Sequence, residues 1–126
     1  MACVLDSSAL LAVLFEEPGG QDIRQRLAQA VLSTVNWSEA AQKFVERGTS
    51  FNLTAQRLFG FGLRVEPFTI EDAERAATLR PPTAALGLSL GDRACLALAE
   101  RLGLAAFTAD RAWARLAIGI DVRMIR

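Results

Sequence analysis

The chain has 126 residues, 52% of them hydrophobic, with 14 Lys+Arg against 14 Asp+Glu and a formal net charge of zero. That length suits one domain, the charge balance excludes a strongly basic nucleic-acid binder, and no apolar run reaches the ~18 residues that suggest a membrane span. There is no histidine and no tyrosine, which removes Ser-His-Asp and Cys-His nucleophile systems, imidazole acid–base pairs and His-ligated zinc.

Met1–Leu5 reads as a short buried strand that stops at Asp6, and Ser7–Phe15 as a helix closed by the break Glu16-Glu17-Pro18-Gly19-Gly20. Gln21–Gln29 is polar-faced and helical, with Ile23 and Leu27 at i, i+4, and Ala30–Val35 (AVLSTV) is a second strand. The spacing of Trp37, Ala40, Ala41, Phe44 and Val45 predicts a helix over Asn36–Arg47, ended by Gly48. Leu53–Phe61 is a further helix, Leu63–Pro67 a short strand, and Thr69–Leu79 a helix stopped before Pro81-Pro82. Ser89–Leu102 is an apolar helix ended by Gly103; Leu104–Phe107 (LAAF) is a strand, Ala109–Leu116 a short helix and Val122–Ile125 a last strand.

Strands alternating with helices argue for an α/β fold in three layers, a central parallel sheet of about four to five strands flanked by helices. No repeat, low-complexity tract or linker divides the chain, so one domain is expected over residues 1–126. Cys3 and Cys95 form no metal or redox spacing, and both sit in apolar surroundings. Two reduced, buried thiols in a cytoplasmic protein are the simplest expectation. The N-terminus lacks a basic n-region and a cleavage-like site, so no secretory signal is expected. Of the cationic residues only Lys43 is a lysine. Arginine suits bidentate contact with phosphate, although a genomic codon bias gives the same enrichment.

In open α/β sheets, function gathers outside the carboxyl ends of the strands. Asp6 directly follows the first strand, and Asp110 follows LAAF in Thr108-Ala109-Asp110. Glu39 in Asn36-Trp37-Ser38-Glu39 and Asp92 in Ser89-Leu90-Gly91-Asp92 lie in the first turns of expected helices. Both spacings fit a capping box, in which the acid at the third helical position bonds back to the cap backbone. Thr69…Asp72 has the same spacing and is assigned no chemistry. Asp6 and Asp110 could equally cap the helices that follow them. Capping and a shared acidic site therefore both stand, but four acids at strand ends and helix starts could converge on one edge of the sheet. Asp92 also opens a helix that is apolar on most sides, where a carboxylate is costly unless paired or metal-bound. Carboxylates without histidine favour a hard, oxygen-loving cation.

The segments VLDSSALLAVL, VNWSEAAQKF, LSLGDRACLALA and FTADRAW occur in this order across most of the chain. Together they resemble the PIN domain, and specifically the VapC-type toxins of bacterial toxin–antitoxin pairs. The resemblance implies a PIN-like fold and a Mg²⁺- or Mn²⁺-dependent endoribonuclease that leaves a 5′-phosphate and a 3′-hydroxyl. It implies Asp6, Glu39, Asp92 and Asp110 as the catalytic cluster, with Asp6, Asp92 and Asp110 holding metal and Ser8 and Thr108 in support. It also implies a homodimer neutralised by a VapB-type antitoxin. Trp113 stands where some relatives carry a further Asp, which bears on a second metal site.

Phosphodiester hydrolysis needs an attacking water, charge neutralisation on the phosphate and a stabilised leaving oxygen, all of which bound Mg²⁺ supplies without histidine. Glu39 or Asp92 is the expected group to orient or deprotonate the water. Arg93, Arg111 and Arg115 lie close in sequence to the cluster acids and are the expected RNA contacts, with solvated helix surface as the alternative. Three other readings suit parts of the pattern. One is a catalytically inactive PIN-like partner-binding domain. A phosphoacceptor receiver domain wants paired acids after the first strand and a late lysine, and a haloacid-dehalogenase-type phosphatase wants a second Asp at position 8, which is Ser here.

Overall fold

In the computed structural model, which describes residues 1–126, strand β1 (Cys3–Leu5) is buried on both faces and lies at the centre of the sheet. Its neighbours are β2 (Ala30–Ser33) and β4 (Ala106–Thr108), with β3 (Arg64–Glu66) and β5 (Val122–Met124) at the edges. All four pairings are parallel, and the order is β3-β2-β1-β4-β5. A parallel sheet is covered on both faces, so its strands read as continuous apolar runs. The side chains alternate accordingly. Cys3, Leu5, Ala30, Leu32 and Phe107 enter one core, while Val4, Val31 and Ala106 enter the other.

The first core is closed by α1 (Ser7–Leu14), α2 (Gly20–Arg26), α3 (Thr34–Glu46) and α4 (Asn52–Gly60), through Leu10, Ile23, Ala40 and Leu58. The second lies under α7 (Leu90–Leu102), whose Cys95, Leu96, Leu98 and Ala99 pack with Leu79, Leu88 and Trp113. Truncating fully buried Leu96 to Ala there would cost ~2–5 kcal/mol. Helix α5 (Ile70–Thr78) packs along α7, and Arg101 of α7 bonds Asp72 of α5 at 2.8 Å. Gly103 ends α7 in the left-handed conformation at φ 67°, a region that favours glycine. Both cysteines are buried and free. No helix is long and apolar enough to cross a membrane.

The sheet bears out the expected parallel α/β architecture, with five strands, and it corrects several boundaries. Strand β2 ends at Ser33, and α3 starts at Thr34 rather than Asn36. Ser33 is the cap and accepts from Val35 N at 3.2 Å, so the expected Asn36…Glu39 capping box does not exist. The stretch AVLSTVN offers both Ser33 and Asn36 as caps, and the earlier one is used. The strand expected over Leu104–Phe107 (LAAF) runs over Ala106–Thr108, and the expected helix over Ala109–Leu116 is a 3-10 turn over Arg111–Arg115. Helix α5 stops before Pro81 and Pro82, as expected. They lie in the short helix α6 (Arg80–Thr83), where a first turn has no use for their missing N–H groups.

Candidate active site

Strand order reverses at β1. The chain leaves it for β2 and β3 on one side and returns to β4 and β5 on the other. The crevice beyond the carboxyl ends of β1 and β4 is where ligands bind in such sheets, and Asp6 and Asp110 flank it. Asp6 is 3% exposed and caps α1 by accepting from Ala9 N at 2.8 Å. Its two oxygens also accept from Ser8 Oγ at 2.6 Å and Thr108 Oγ1 at 2.5 Å. The same hydroxyls accept from the β4 exit: Ala109 N donates to Ser8 Oγ at 2.9 Å and Asp110 N to Thr108 Oγ1 at 3.0 Å. Ser8 and Thr108 therefore tie the ends of β1 and β4 together through one carboxylate.

Asp92 closes the expected capping box of α7, accepting from Ser89 N at 2.8 Å through Oδ2 while its N–H donates to Ser89 Oγ at 3.2 Å. Asp110 caps the 3-10 turn, accepting from Ala112 N at 3.0 Å through Oδ1. Glu39, one turn into α3, accepts through Oε1 from Ser7 Oγ and Asn36 Nδ2, both at 3.0 Å. Asp92, Asp110 and Glu39 each keep one carboxylate oxygen that takes no hydrogen bond from the protein. A carboxylate has four lone-pair directions, so a cap and a ligand can share it.

The charges are mutually uncompensated. None of the four acids has a Lys or Arg partner among the six ion pairs of the chain. Burial pushes the Asp6 carboxyl up to about 6, against the pull of its Ser8, Thr108 and Ala9 donors, and the Asp92 charge adds to the rise. Burial likewise raises Asp92 against its Ser89 bonds, with the Glu39 and Asp110 charges adding to the rise. The four acids thus act on one another, as a shared site requires. They are not closed into a ligand cage: no three acidic or cysteine side chains stand at ligand spacing. The donor set fits a hard divalent cation in its chemistry, being all oxygen, partly buried and short of positive charge.

The three arginines differ. Arg111 and Arg115 are exposed on the turn after Asp110, where Arg111 Nη1 donates to Arg126 O at 3.1 Å. Arg93 is half-buried and donates from Nη1 to Ala76 O of α5 at 2.8 Å, leaving its buried Nε without a partner. Three residues at the site carried no assignment from sequence: Ser7, Asn36 and Gly91. Asn36 was readable only as a cap. It is 1% exposed and donates from Nδ2 to Gly91 O at 3.0 Å as well as to Glu39.

Among solved structures, the fold is similar to a chain of a toxin–antitoxin complex from Klebsiella pneumoniae, with 19% identity over 91% of this chain and 92% of that one and a TM-score of 0.73. A chain of VapBC2 from Rickettsia felis, bound to a promoter DNA fragment, gives 13% identity, 98% coverage of both chains and a TM-score of 0.76. DNA-bound VapBC from Salmonella typhimurium gives 18% identity, 100% coverage of both and a TM-score of 0.72. No curated protein sequence matches the chain. The sequence profile of the PIN domain matches residues 3–119, nearly the whole length and all four cluster acids, and the chain belongs to the PIN domain family.

Proposed function

We propose that the chain, as one domain over residues 1–126, is the VapC-type toxin of a type II toxin–antitoxin pair and a Mg²⁺- or Mn²⁺-dependent endoribonuclease. The observation that carries this reading is four acids sharing a crevice at the strand-order reversal with no cationic partner. Asp6, Asp92 and Asp110 would hold the cation, which when bound supplies a nucleophilic water and neutralises phosphate charge. Glu39 keeps Oε2 free of protein donors and is the group to orient the attacking water and take its proton. Ser8 and Thr108 hold Asp6 in place. Arg111 and Arg115, exposed beside Asp110, suit contact with RNA phosphates.

A VapB-type antitoxin and a homodimer are the proposed partners. The neighbouring solved structures named for toxin–antitoxin complexes support the first. Surface aromatics support both. Trp37 stacks on Phe59 with ring centroids 5.1 Å apart, and Phe59 and Phe61 remain half exposed. Beside them Phe15, Phe44, Leu58 and Phe61 line a groove of about 450 Å³.

The second reading, an inactive partner-binding domain, is favoured by the absence of three acids at ligand spacing. One experiment separates the two. Pure protein is incubated with total RNA in EDTA, Mg²⁺ or Mn²⁺, and the ends are mapped. Cation-dependent cleavage with 5′-phosphate ends is expected. Cleavage in excess EDTA, 2′,3′-cyclic phosphate ends or no cleavage at all would overturn the proposal. In parallel, the parent should gain ~2.7 kcal/mol at a hundredfold excess of cation over its dissociation constant. Asp6→Asn, Asp92→Asn and Asp110→Asn should lose most of that gain together with cleavage.

A further inference from the structure

We infer that Asn36 and Gly91 are positioning residues for Glu39: the Asn36 amide and the bare Cα of Gly91 set the Glu39 carboxylate against the first turn of α7, beside Asp92. The inference rests on the metal-dependent nuclease reading and deepens it by naming two uncharged residues on which the acidic geometry depends. Glu39 and Asp92 are like charges on different helices, α3 and α7. Left to themselves they separate, so their approach needs a device.

Asn36 supplies one part of it. Nδ2 donates to Glu39 Oε1 and to Gly91 O, each at 3.0 Å, joining α3 to α7. Both partners are acceptors, which fixes the amide orientation, since the flipped amide would set oxygen against oxygen. The consequence is a buried Oδ1 with no donor. A buried polar atom without a partner lowers stability, and leucine of similar volume would avoid that loss. The amide therefore stands here against the interest of packing.

Gly91 supplies the other part. It is the second residue of α7, where alanine is the better helix former. A Cβ on Gly91 would lie within 2.5 Å of Glu39 Cδ and Oε1 and closer still to Oε2. Glycine lets the carboxylate rest on the helix. Ser7, the residue after Asp6, completes the seat: its Oγ donates to Glu39 Oε1 at 3.0 Å. Two locally unfavourable choices, a buried unsatisfied amide and a helical glycine, thus converge on the same carboxylate.

The test uses Gly91→Ala, Asn36→Leu and Glu39→Gln, with Mn²⁺ as the probe, read by calorimetric titration and by melting temperature with and without EDTA. In Gly91→Ala the obstructed atoms are the far end of a flexible side chain, so the carboxylate swings off while the fold holds. Gly91→Ala should melt at or above the parent in EDTA, yet bind Mn²⁺ roughly 10–100-fold more weakly, the usual effect of disturbing the shell around the ligands, because the Glu39 carboxylate that lends its charge beside Asp6, Asp92 and Asp110 has moved off. Asn36→Leu, which leaves the sequence of α7 unchanged and removes the amide bonds to Glu39 and Gly91 O, should weaken Mn²⁺ binding in the same direction. In a Glu39→Gln background neither change should weaken it further, because both act through that carboxylate. Variants that bind Mn²⁺ as the parent does, or whose losses multiply fully with Glu39→Gln, overturn the inference alone. A parent that neither binds Mn²⁺ nor cuts RNA overturns the nuclease reading and this inference with it.

Discussion

Asp72 and Asp92 occupy the same position of the same motif, each closing a capping box at the third residue of its helix, but only Asp72 faces an arginine. Burial works to raise the Asp72 carboxyl, and the Arg101 guanidinium at 2.8 Å with the Thr69 donors outweighs it, leaving it below its ordinary value. Burial raises Asp92 and nothing cationic offsets it; Glu39 and Asp110 push it further in the same direction. One acid is placed for stability and the other against it.

Asn substitutions should therefore diverge. In EDTA at neutral pH, Asp72→Asn should lower stability by about 1 kcal/mol, a modest figure because Arg101 is partly exposed. Asp92→Asn keeps a cap acceptor and removes a repelled charge, so it should match or exceed the parent. Urea denaturation of the three proteins measures both. Equal losses would mean that Asp92 is a cap and nothing more.

The raised Asp6 carboxyl gives a pH dependence of definite sign. Its folded value of about 6 lies above the ordinary 3.8, so the folded state holds the proton more tightly than the unfolded chain. The stability that this supplies is complete below about 3.8 and is lost as pH rises through about 6. The step corresponds to about 3 kcal/mol. Metal-free parent should fall in stability relative to Asp6→Asn across that interval. Parallel curves for parent and variant between pH 3.5 and pH 7, a range set about the two values, would contradict the burial argument.

The three arginines near the cluster should separate by assay. Arg111→Ala and Arg115→Ala should leave the melting temperature unchanged, raise KM for RNA and each reduce the salt slope of binding by about 1. Arg93→Ala should instead lower the melting temperature, because its Nη1 bridges α7 to Ala76 of α5. Salt-dependent binding and melts on the three variants decide the assignment.

Phe59 and Phe61 offer a test of assembly. Light scattering at micromolar concentration should give a dimer. Phe59→Ser and Phe61→Ser should leave the fold intact, since both residues are half exposed, and weaken self-association or antitoxin binding. A monomeric parent would remove the dimer from the proposal.

The fold was legible where one local signal dominated. The apolar run that stops at Asp6 gave the central strand, and Ser89…Asp92 gave both the start of α7 and the position of one acid. The errors have physical causes. Ser33 and Asn36 are both good caps, and choosing Asn36 put Glu39 in a first turn that does not exist and hid the contact of Asn36 with α7. The bond from Arg93 to Ala76 of α5 was not legible either, because it depends on how α5 packs against α7. The crossing of Glu39 over Gly91 depends on how two helices pack, which no spacing within either helix records.

Asp6 and Thr108, joined by one hydrogen bond, are 102 positions apart in the chain. A ribosome releases β1 well before β4. Until residue 110 has been added, a nascent chain holds Asp6 without Thr108 to orient it and without Asp110 across the crevice, and β1 presents a bare edge where β4 should pair. A product that stops before Thr108 therefore lacks Asp110 and leaves Asp6 without its Thr108 donor. On the proposed nuclease reading, a chain cut short before Asp110 would not cut RNA.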